Sequence, residues 1–305
     1  MEALLEEILK DCAPYKTLGK PASYIPELAN GDVNDLGIYI VSSDGQSHKA
    51  GDWRKEFTIQ SVVKPILLLL CLMDNGAELL RSTIGVEATG KPFDAINVTD
   101  GQLSSQHLNP MVNMGAILMC TLIKGDDYDM RFARLLDLTR RLAGNPDISV
   151  DQKVYLSEKR TGNKNRALAF LLKNYGLIDG DVEEVLDCYF KACSIKVNCR
   201  DLANIAFTFA NRGRRPLSDE RLFPAEYAHY VNAVLVTCGM YDGSGDFAVR
   251  VGVPAKSGVG GGIMAVAPTR MGIGIFSPGL DEKGNSLAGI KALEELSHRM
   301  YLSIF

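Results

Sequence analysis

The chain has 305 residues, 46% of them hydrophobic and 23% charged, enough for one large domain with a substantial core or for two small ones. Against 33 basic residues stand 37 acidic ones, a formal net charge of −4, which favours neither a nucleic acid nor an anionic membrane as partner. The longest apolar run, Pro65 to Met73, is too short to span a bilayer.

Met1-Glu-Ala-Leu-Leu-Glu-Glu-Ile-Leu-Lys10 reads as an acidic amphipathic helix rather than a charged leader followed by an apolar stretch. No signal peptide is therefore expected, and the cytoplasm is the expected location. Leu36 to Val41 and Gln46 to Lys49, split by Ser43-Asp-Gly45, read as a hairpin. In Thr58-Ile-Gln-Ser-Val-Val-Lys-Pro-Ile-Leu-Leu-Leu-Leu70 an extended approach turns into an apolar helix, with Ser61 and Lys64 close to one turn apart on the same face. Serine is a weak nucleophile at neutral pH; a lysine whose charge is disfavoured by burial can act as its base, and a helix N-terminus favours the developing negative charge. Chance alone places a Lys three residues after a Ser about once in a chain of this length, so the pair by itself says little.

From about Gly76 to Val236 the periodicity is mainly helical, over Met111 to Ile123, Tyr128 to Ala143, Asn165 to Tyr175, Asp181 to Cys193 and Cys199 to Asn211. A helical lobe at residues 76–236 is expected, joined to a sheet lobe from residues 1–75 and 237–305 in one compact unit. The site should lie in the crevice between them. Ser149, and Ser218 before Asp219 and Glu220, read as helix caps. Asn113, inside an apolar helix, must find a partner if buried, or else serves at the helix start. On its own, Glu158 in Ser157-Glu-Lys-Arg160 reads as a solvated charge, and a lone tyrosine reads as packing.

Seven cysteines with no C-x-x-C pair read as reduced core residues. Cys188, Cys193 and Cys199 lack zinc-module spacing and a nearby histidine, and the four histidines are scattered, so neither a metal site nor a serine–histidine triad has its main ingredient. No metal or cofactor is expected.

Pro254-Ala-Lys-Ser-Gly-Val-Gly-Gly-Gly-Ile-Met-Ala-Val266 places a Lys256-Ser257-Gly258 triplet ahead of a strand-like run. Its glycines do not read as a nucleotide loop, because Lys256 precedes them and a strand follows. They fit either close backbone approach to a ligand or a plain structural kink. Met264 to Ala267 and Met271 to Phe276, split by Pro268-Thr-Arg270, read as a second hairpin in the same sheet, and Ser286 to Leu302 reads as a closing helix.

An S-x-x-K at a helix start, a K-[ST]-G far downstream on a sheet and a C-terminal helix form the layout of the penicillin-recognising serine hydrolases. Within that layout the chain resembles the serine-dependent glutaminases. The resemblance is carried by Gly19-Lys-Pro-Ala-Ser-Tyr-Ile-Pro-Glu-Leu28, Gln60-Ser-Val-Val-Lys-Pro65, Asn109-Pro-Met-Val-Asn-Met-Gly-Ala-Ile117, Ser157-Glu-Lys-Arg-Thr-Gly-Asn-Lys-Asn165, Tyr189-Phe-Lys-Ala-Cys-Ser-Ile195, Gly239-Met-Tyr-Asp242 and Lys256-Ser-Gly-Val259. It implies an α+β fold of the serine β-lactamase and penicillin-binding-protein type, an antiparallel sheet flanked by helices plus a helical lobe. It also implies hydrolysis of L-glutamine to L-glutamate and ammonia by a homodimer or homotetramer.

By the same resemblance Ser61 is the nucleophile, Lys64, Tyr24 or Tyr241 is its base, and the N–H groups of Ser61 and Val259 hold the oxyanion. Glu158 takes the substrate ammonium, while Asn113, Asn165 and Tyr189 make other polar contacts and Gln60 adjoins the nucleophile. Met114 and Gly260 stand where these enzymes usually carry alanine. Two further readings are a β-lactam hydrolase, for which a signal peptide would be expected, and an idle binding protein on the same fold.

Overall fold

Short alternating strands and long apolar helices divide the chain as the sequence predicts. The computed structural model describes residues 1–95, 104–216, 218 and 220–305. In chain order, α1 (Glu2–Cys12) precedes the hairpin of β1 (Gly37–Ser42) and β2 (Ser47–Gly51), and β3 (Phe57–Thr58) leads through a 3-10 turn, Gln60–Val63, into α2 (Lys64–Thr83). A helical stretch follows: α3 (Asn113–Leu122), α4 (Tyr128–Ala143), α5 (Gln152–Thr161), α6 (Asn163–Asn174) and α7 (Val182–Cys193). Then come β4 (Lys196–Val197), α8 (Cys199–Ala210), α9 (Ala225–Cys238) and α10 (Ser244–Arg250). The hairpin strands β5 (Ala255–Ser257), β6 (Gly262–Ala267) and β7 (Met271–Phe276) lead to α11 (Leu287–Met300), capped by the Ser286 side chain.

The main sheet has the order β2-β1-β7-β6-β5, antiparallel at every junction. Period-two alternation sends Ile38, Ile40, Ile263, Ile273 and Ile275 to one face, where they pack with Leu5 and Ile8 of α1 and Leu293 and Leu296 of α11. Tyr39, Val41, Met264 and Val266 point the other way, into the core of the helical stretch. There α8 lies directly on β7. A Cβ on Gly272 would stand 2.1 Å from the Phe207 nitrogen, and one on Gly274 2.1 Å from the Cys199 oxygen. This is the α+β arrangement the resemblance implies.

Residues 65 to 72 of α2 are all buried, which suits a segment apolar on every side. The helix is broken at Gly76, whose backbone is left-handed at φ 79. The Lys256-Ser257-Gly258 triplet leads into β6 as expected, with Lys256 and Ser257 themselves on β5. Two local expectations are corrected. Asp151, not Ser149, caps α5, because its carboxylate accepts the N–H groups of Lys153 and Val154. At Ser218 the hydroxyl accepts the Glu220 N–H, but the next helix, α9, begins only at Ala225, so Ser218 caps none; Asp219 lies outside the described residues. All seven cysteines are buried free thiols. Among the described residues no helix is long and apolar enough to cross a membrane, and no group of three or more His, Cys, Asp or Glu is placed to hold a metal.

Candidate active site

The segment carrying Ser61 is clamped from two sides. Phe57 and Thr58 pair with Val197 and Lys196, and the Ile59 N–H continues that ladder to the Ile195 oxygen at 2.8 Å. Opposite, the turn between β5 and β6 presses its glycines onto the same backbone: a Cβ on Gly258 would lie 2.8 Å from the Ile59 oxygen, and one on Gly260 2.4 Å from the Thr58 oxygen. These glycines thus serve close approach of one backbone segment to another, which sets Val259 beside the Ser61 segment. Gln60 enters at φ 47, a left-handed conformation uncommon for a side-chain-bearing residue, and turns the chain sharply into Ser61.

Ser61 lies on the 3-10 turn and is 6% exposed, while Lys64 opens α2 and is 0% exposed. Their side chains do not pair directly, as one-turn spacing suggested. The Lys64 Nζ instead donates to the Met111 oxygen at 3.0 Å and to Asn113 Oδ1 at 2.8 Å. Burial pushes its pKa down to about 8, against the opposing pull of Cys193, Asp94 and Glu158.

Asn113, the first residue of α3, is the hub of this polar cluster. Its Oδ1 also accepts the Tyr189 hydroxyl at 3.2 Å, its Nδ2 donates to Asn165 Oδ1 at 2.9 Å, and its backbone N–H donates to the Phe93 oxygen. A buried asparagine in an apolar helix is therefore satisfied at both ends of its amide. Four elements meet there: α2 through Lys64, α3 through Asn113, α6 through Asn165 and α7 through Tyr189.

Glu158 departs furthest from its reading as a solvated charge. It sits 4% exposed on the inner face of α5, with Oε2 lacking any hydrogen-bond partner. Burial raises its pKa to about 8, opposed by the Gln60 side chain and by Lys64. Gln60 also donates to Thr58 Oγ1 at 3.3 Å. A buried carboxylate with an oxygen to spare is a poor structural element and a good receptor for a small cation.

Tyr241 closes the cluster from the turn after α9, again with a left-handed backbone at φ 56. Burial raises the pKa of its phenol, while Ser61 and the Val259 backbone approach its oxygen and pull the other way. No hydrogen bond of full geometry reaches that oxygen. Tyr24 lies in the loop before Ile25 with 56% of its surface exposed, yet burial of its hydroxyl end near Glu158 and Tyr241 raises its pKa well above the ordinary value. The residues expected at the site thus come together.

Three neighbours were not anticipated. Phe93 packs against Tyr241 with the rings tilted by 36° and their centroids 4.5 Å apart, Cys193 adds a buried thiol near Glu158 and Lys64, and Lys256 sits 4.3 Å above the Tyr241 ring. Lys256 was visible in its triplet and Cys193 in the segment after Tyr189, but nothing in the sequence marks Phe93. Chemically, the cluster offers a buried hydroxyl, a buried amine that gives up its proton easily, and an unpaired carboxylate set apart to orient a substrate. These are the ingredients of acyl transfer on a small substrate that carries an ammonium group.

Comparison with known proteins agrees with the geometry. A family model described as Glutaminase matches residues 19–305. The chain is 51% identical to a glutaminase of Clostridium tetani and 50% identical to glutaminase 2 of Clostridium perfringens, each over 100% of both chains. It superposes with a TM-score of 0.91 on the Bacillus subtilis glutaminase YbgJ, 34% identical over 100% of this chain and 99% of that one. That relative was solved as a covalent complex with 5-oxo-L-norleucine, formed by reaction with 6-diazo-5-oxo-L-norleucine.

Proposed function

The chain belongs to the glutaminase family and is an amidohydrolase that converts L-glutamine and water to L-glutamate and ammonia, and from that premise we propose that it works through a glutamyl ester on Ser61 with Lys64 as partner. The observation that carries this mechanism is the buried lysine. Lys64 is 0% exposed, and burial pushes its pKa down to about 8 even though its donations to the oxygens of Met111 and Asn113 favour the ammonium form.

The Ser61 oxygen attacks the side-chain carboxamide carbon of glutamine as its proton passes to the base, either Lys64 or a tyrosine oxygen of Tyr241 or Tyr24. The oxyanion that forms is received by the N–H groups of Ser61 and Val259, a reading supported by the close approach of the glycines flanking Val259 to the Ile59 and Thr58 oxygens. The base returns its proton to the amide nitrogen, the C–N bond breaks and ammonia leaves. Water then gives its proton to the same base, attacks the ester carbon and releases glutamate as Ser61 recovers its hydrogen.

Glu158 accepts the substrate α-ammonium, which supplies the partner its free oxygen lacks. Asn113, Asn165, Tyr189 and Gln60 hold the remaining polar groups. With the α-groups fixed in this way, asparagine, one methylene shorter, leaves its carboxamide away from Ser61 and reacts poorly. The same reading keeps the protein in the cytoplasm as a homodimer or homotetramer, which cell fractionation and light scattering test.

Treatment with 6-diazo-5-oxo-L-norleucine followed by peptide mass spectrometry tests the nucleophile. The adduct is expected on Ser61 and should disappear in Ser61→Ala. An adduct on another residue, with turnover lost in parallel, would overturn the assignment.

A further inference from the structure

Lys256 is a buried lysine to which the mechanism above gives no task. It lies on β5, is 0% exposed, and donates from Nζ to the Gly239 oxygen at 3.0 Å and the Ser257 oxygen at 2.6 Å. Among the described residues no carboxylate pairs with it, and burial together with the nearby charge of Lys64 pushes its pKa well below the ordinary value. An apolar side chain of similar length would fill the same space without the desolvation cost of an ammonium. Packing alone therefore does not account for a lysine here.

What Lys256 touches is the turn that carries Tyr241. The Gly239 oxygen receives both the Lys256 ammonium and the Ser257 N–H, and a Cβ on Gly239 would lie 1.8 Å from the Ala255 oxygen, so the turn is pressed against β5. Two residues later Tyr241 adopts its left-handed backbone, a conformation costing on the order of 1–3 kcal/mol unless its surroundings enforce it. Ser244 and Asn285 also hold this turn, through the Met240 N–H, the Tyr241 oxygen and the Met240 oxygen. Those contacts reach backbone atoms, whereas the Lys256 Nζ additionally faces the Tyr241 ring, 4.3 Å from its centroid.

We propose that Lys256 is a positioning residue for Tyr241, tying the 239–241 turn to β5 and setting a cation against the phenol face so that the hydroxyl stays directed at Ser61. The proposal rests on the role assigned above to Tyr241. In its ammonium form Lys256 favours negative charge on the phenol oxygen and disfavours the ammonium form of Lys64. Whichever group accepts the serine proton, removing the charge of Lys256 makes that acceptor titrate at higher pH.

The test compares kcat, KM and the pH dependence of kcat for wild type, Lys256→Met, Lys256→Gln, Tyr241→Phe and the Lys256→Met, Tyr241→Phe double variant. Lys256→Met is expected to lower kcat about tenfold or more with little change in KM for glutamine, and to move the rising limb of the pH profile upward. Lys256→Gln, which keeps a donor for the Gly239 oxygen, should recover part of kcat but not the position of the limb. In the Tyr241→Phe background the Lys256 substitution should add little, because both act through one group. If Lys256→Met fails to fold, Lys256→Gln and its combination with Tyr241→Phe carry the test. Full kcat in Tyr241→Phe would remove the role of Tyr241 itself. Loss in Tyr241→Phe with kcat and limb unchanged at Lys256, or losses that simply multiply in the double variant, would overturn the proposal for Lys256.

Discussion

Lys64 and Glu158 are two buried groups of opposite charge type, each shifted toward its neutral form by burial and each drawn back by the other. Both titrate at about 8, so the pH dependence has a worked sign. As pH rises through that range Lys64 becomes a competent base and Glu158 becomes a carboxylate ready for an ammonium. Hence kcat/KM for glutamine is expected to rise with pH through about 8. At neutral pH, glutamine binding should expel the Glu158 proton, which calorimetry in buffers of different ionisation enthalpy detects as proton release. Proton uptake on binding would contradict the role of Glu158. Lys64→Ala is expected to lower kcat by about a thousandfold or more, while Glu158→Gln mainly raises KM, by about tenfold or more. The sequence alone pointed to Ser61 and Lys64 through their position at a helix start, and to Asn113 through its apolar surroundings. Glu158 was legible by resemblance alone. Its neighbours Lys159 and Arg160 make the segment look solvated, whereas α5 turns Val154, Tyr155, Ser157 and Glu158 inward on one face.

At the scale of elements, two contacts hold the parts of the site in place. The first is α8 on β7, which leaves no room for a Cβ at Gly272 or Gly274. Gly274→Ala should destabilise the fold by about 1–3 kcal/mol, read from urea unfolding; unchanged stability would mean that helix and strand do not meet so closely. The second joins α5 to α7, the carriers of Glu158 and Tyr189. Asp187 on α7 accepts from Lys159 and Tyr155 of α5 and pairs with Lys191. Burial works against its charge, but these three partners prevail and hold its pKa at about 2. Because the folded value lies below the unfolded one, the stabilisation is present above about pH 4 and is lost as pH falls toward the folded value. Asp187→Asn is therefore expected to cost about 1–2 kcal/mol at neutral pH, with the difference from wild type narrowing in acid. Periodicity gave α4 its full extent and placed both sheet hairpins to within a residue or two. The extended approach at Thr58 was legible, but β4 and its pairing with β3 were not, because two-residue strands carry no alternation to detect, and they are the pair that clamps the approach to Ser61.

Across the whole molecule the site is assembled from pieces far apart in sequence: the start of α2, the faces of α3, α5, α6 and α7, the turn after α9 and the turn between β5 and β6. No local spacing encodes such a meeting, which is why motif order, rather than any single motif, carried the functional reading. We propose that residues 1–305 fold as one unit, since the core of the helical stretch includes sheet residues Tyr39, Val41, Met264 and Val266. The sole tryptophan, Trp53, packs on Tyr39 beside the sheet and reports its unfolding, while far-UV circular dichroism reports mainly the helices. The two transitions should coincide in urea, and separated midpoints would show that the parts unfold independently. The central claim is that this assembled site hydrolyses glutamine on Ser61. Its most direct test is ammonia and glutamate release from L-glutamine by the purified chain and by folded Ser61→Ala, with L-asparagine in parallel. Equimolar products from the wild type, abolished in the variant and weak with asparagine, are the predicted result; a Ser61→Ala protein that still turns over glutamine would contradict the account.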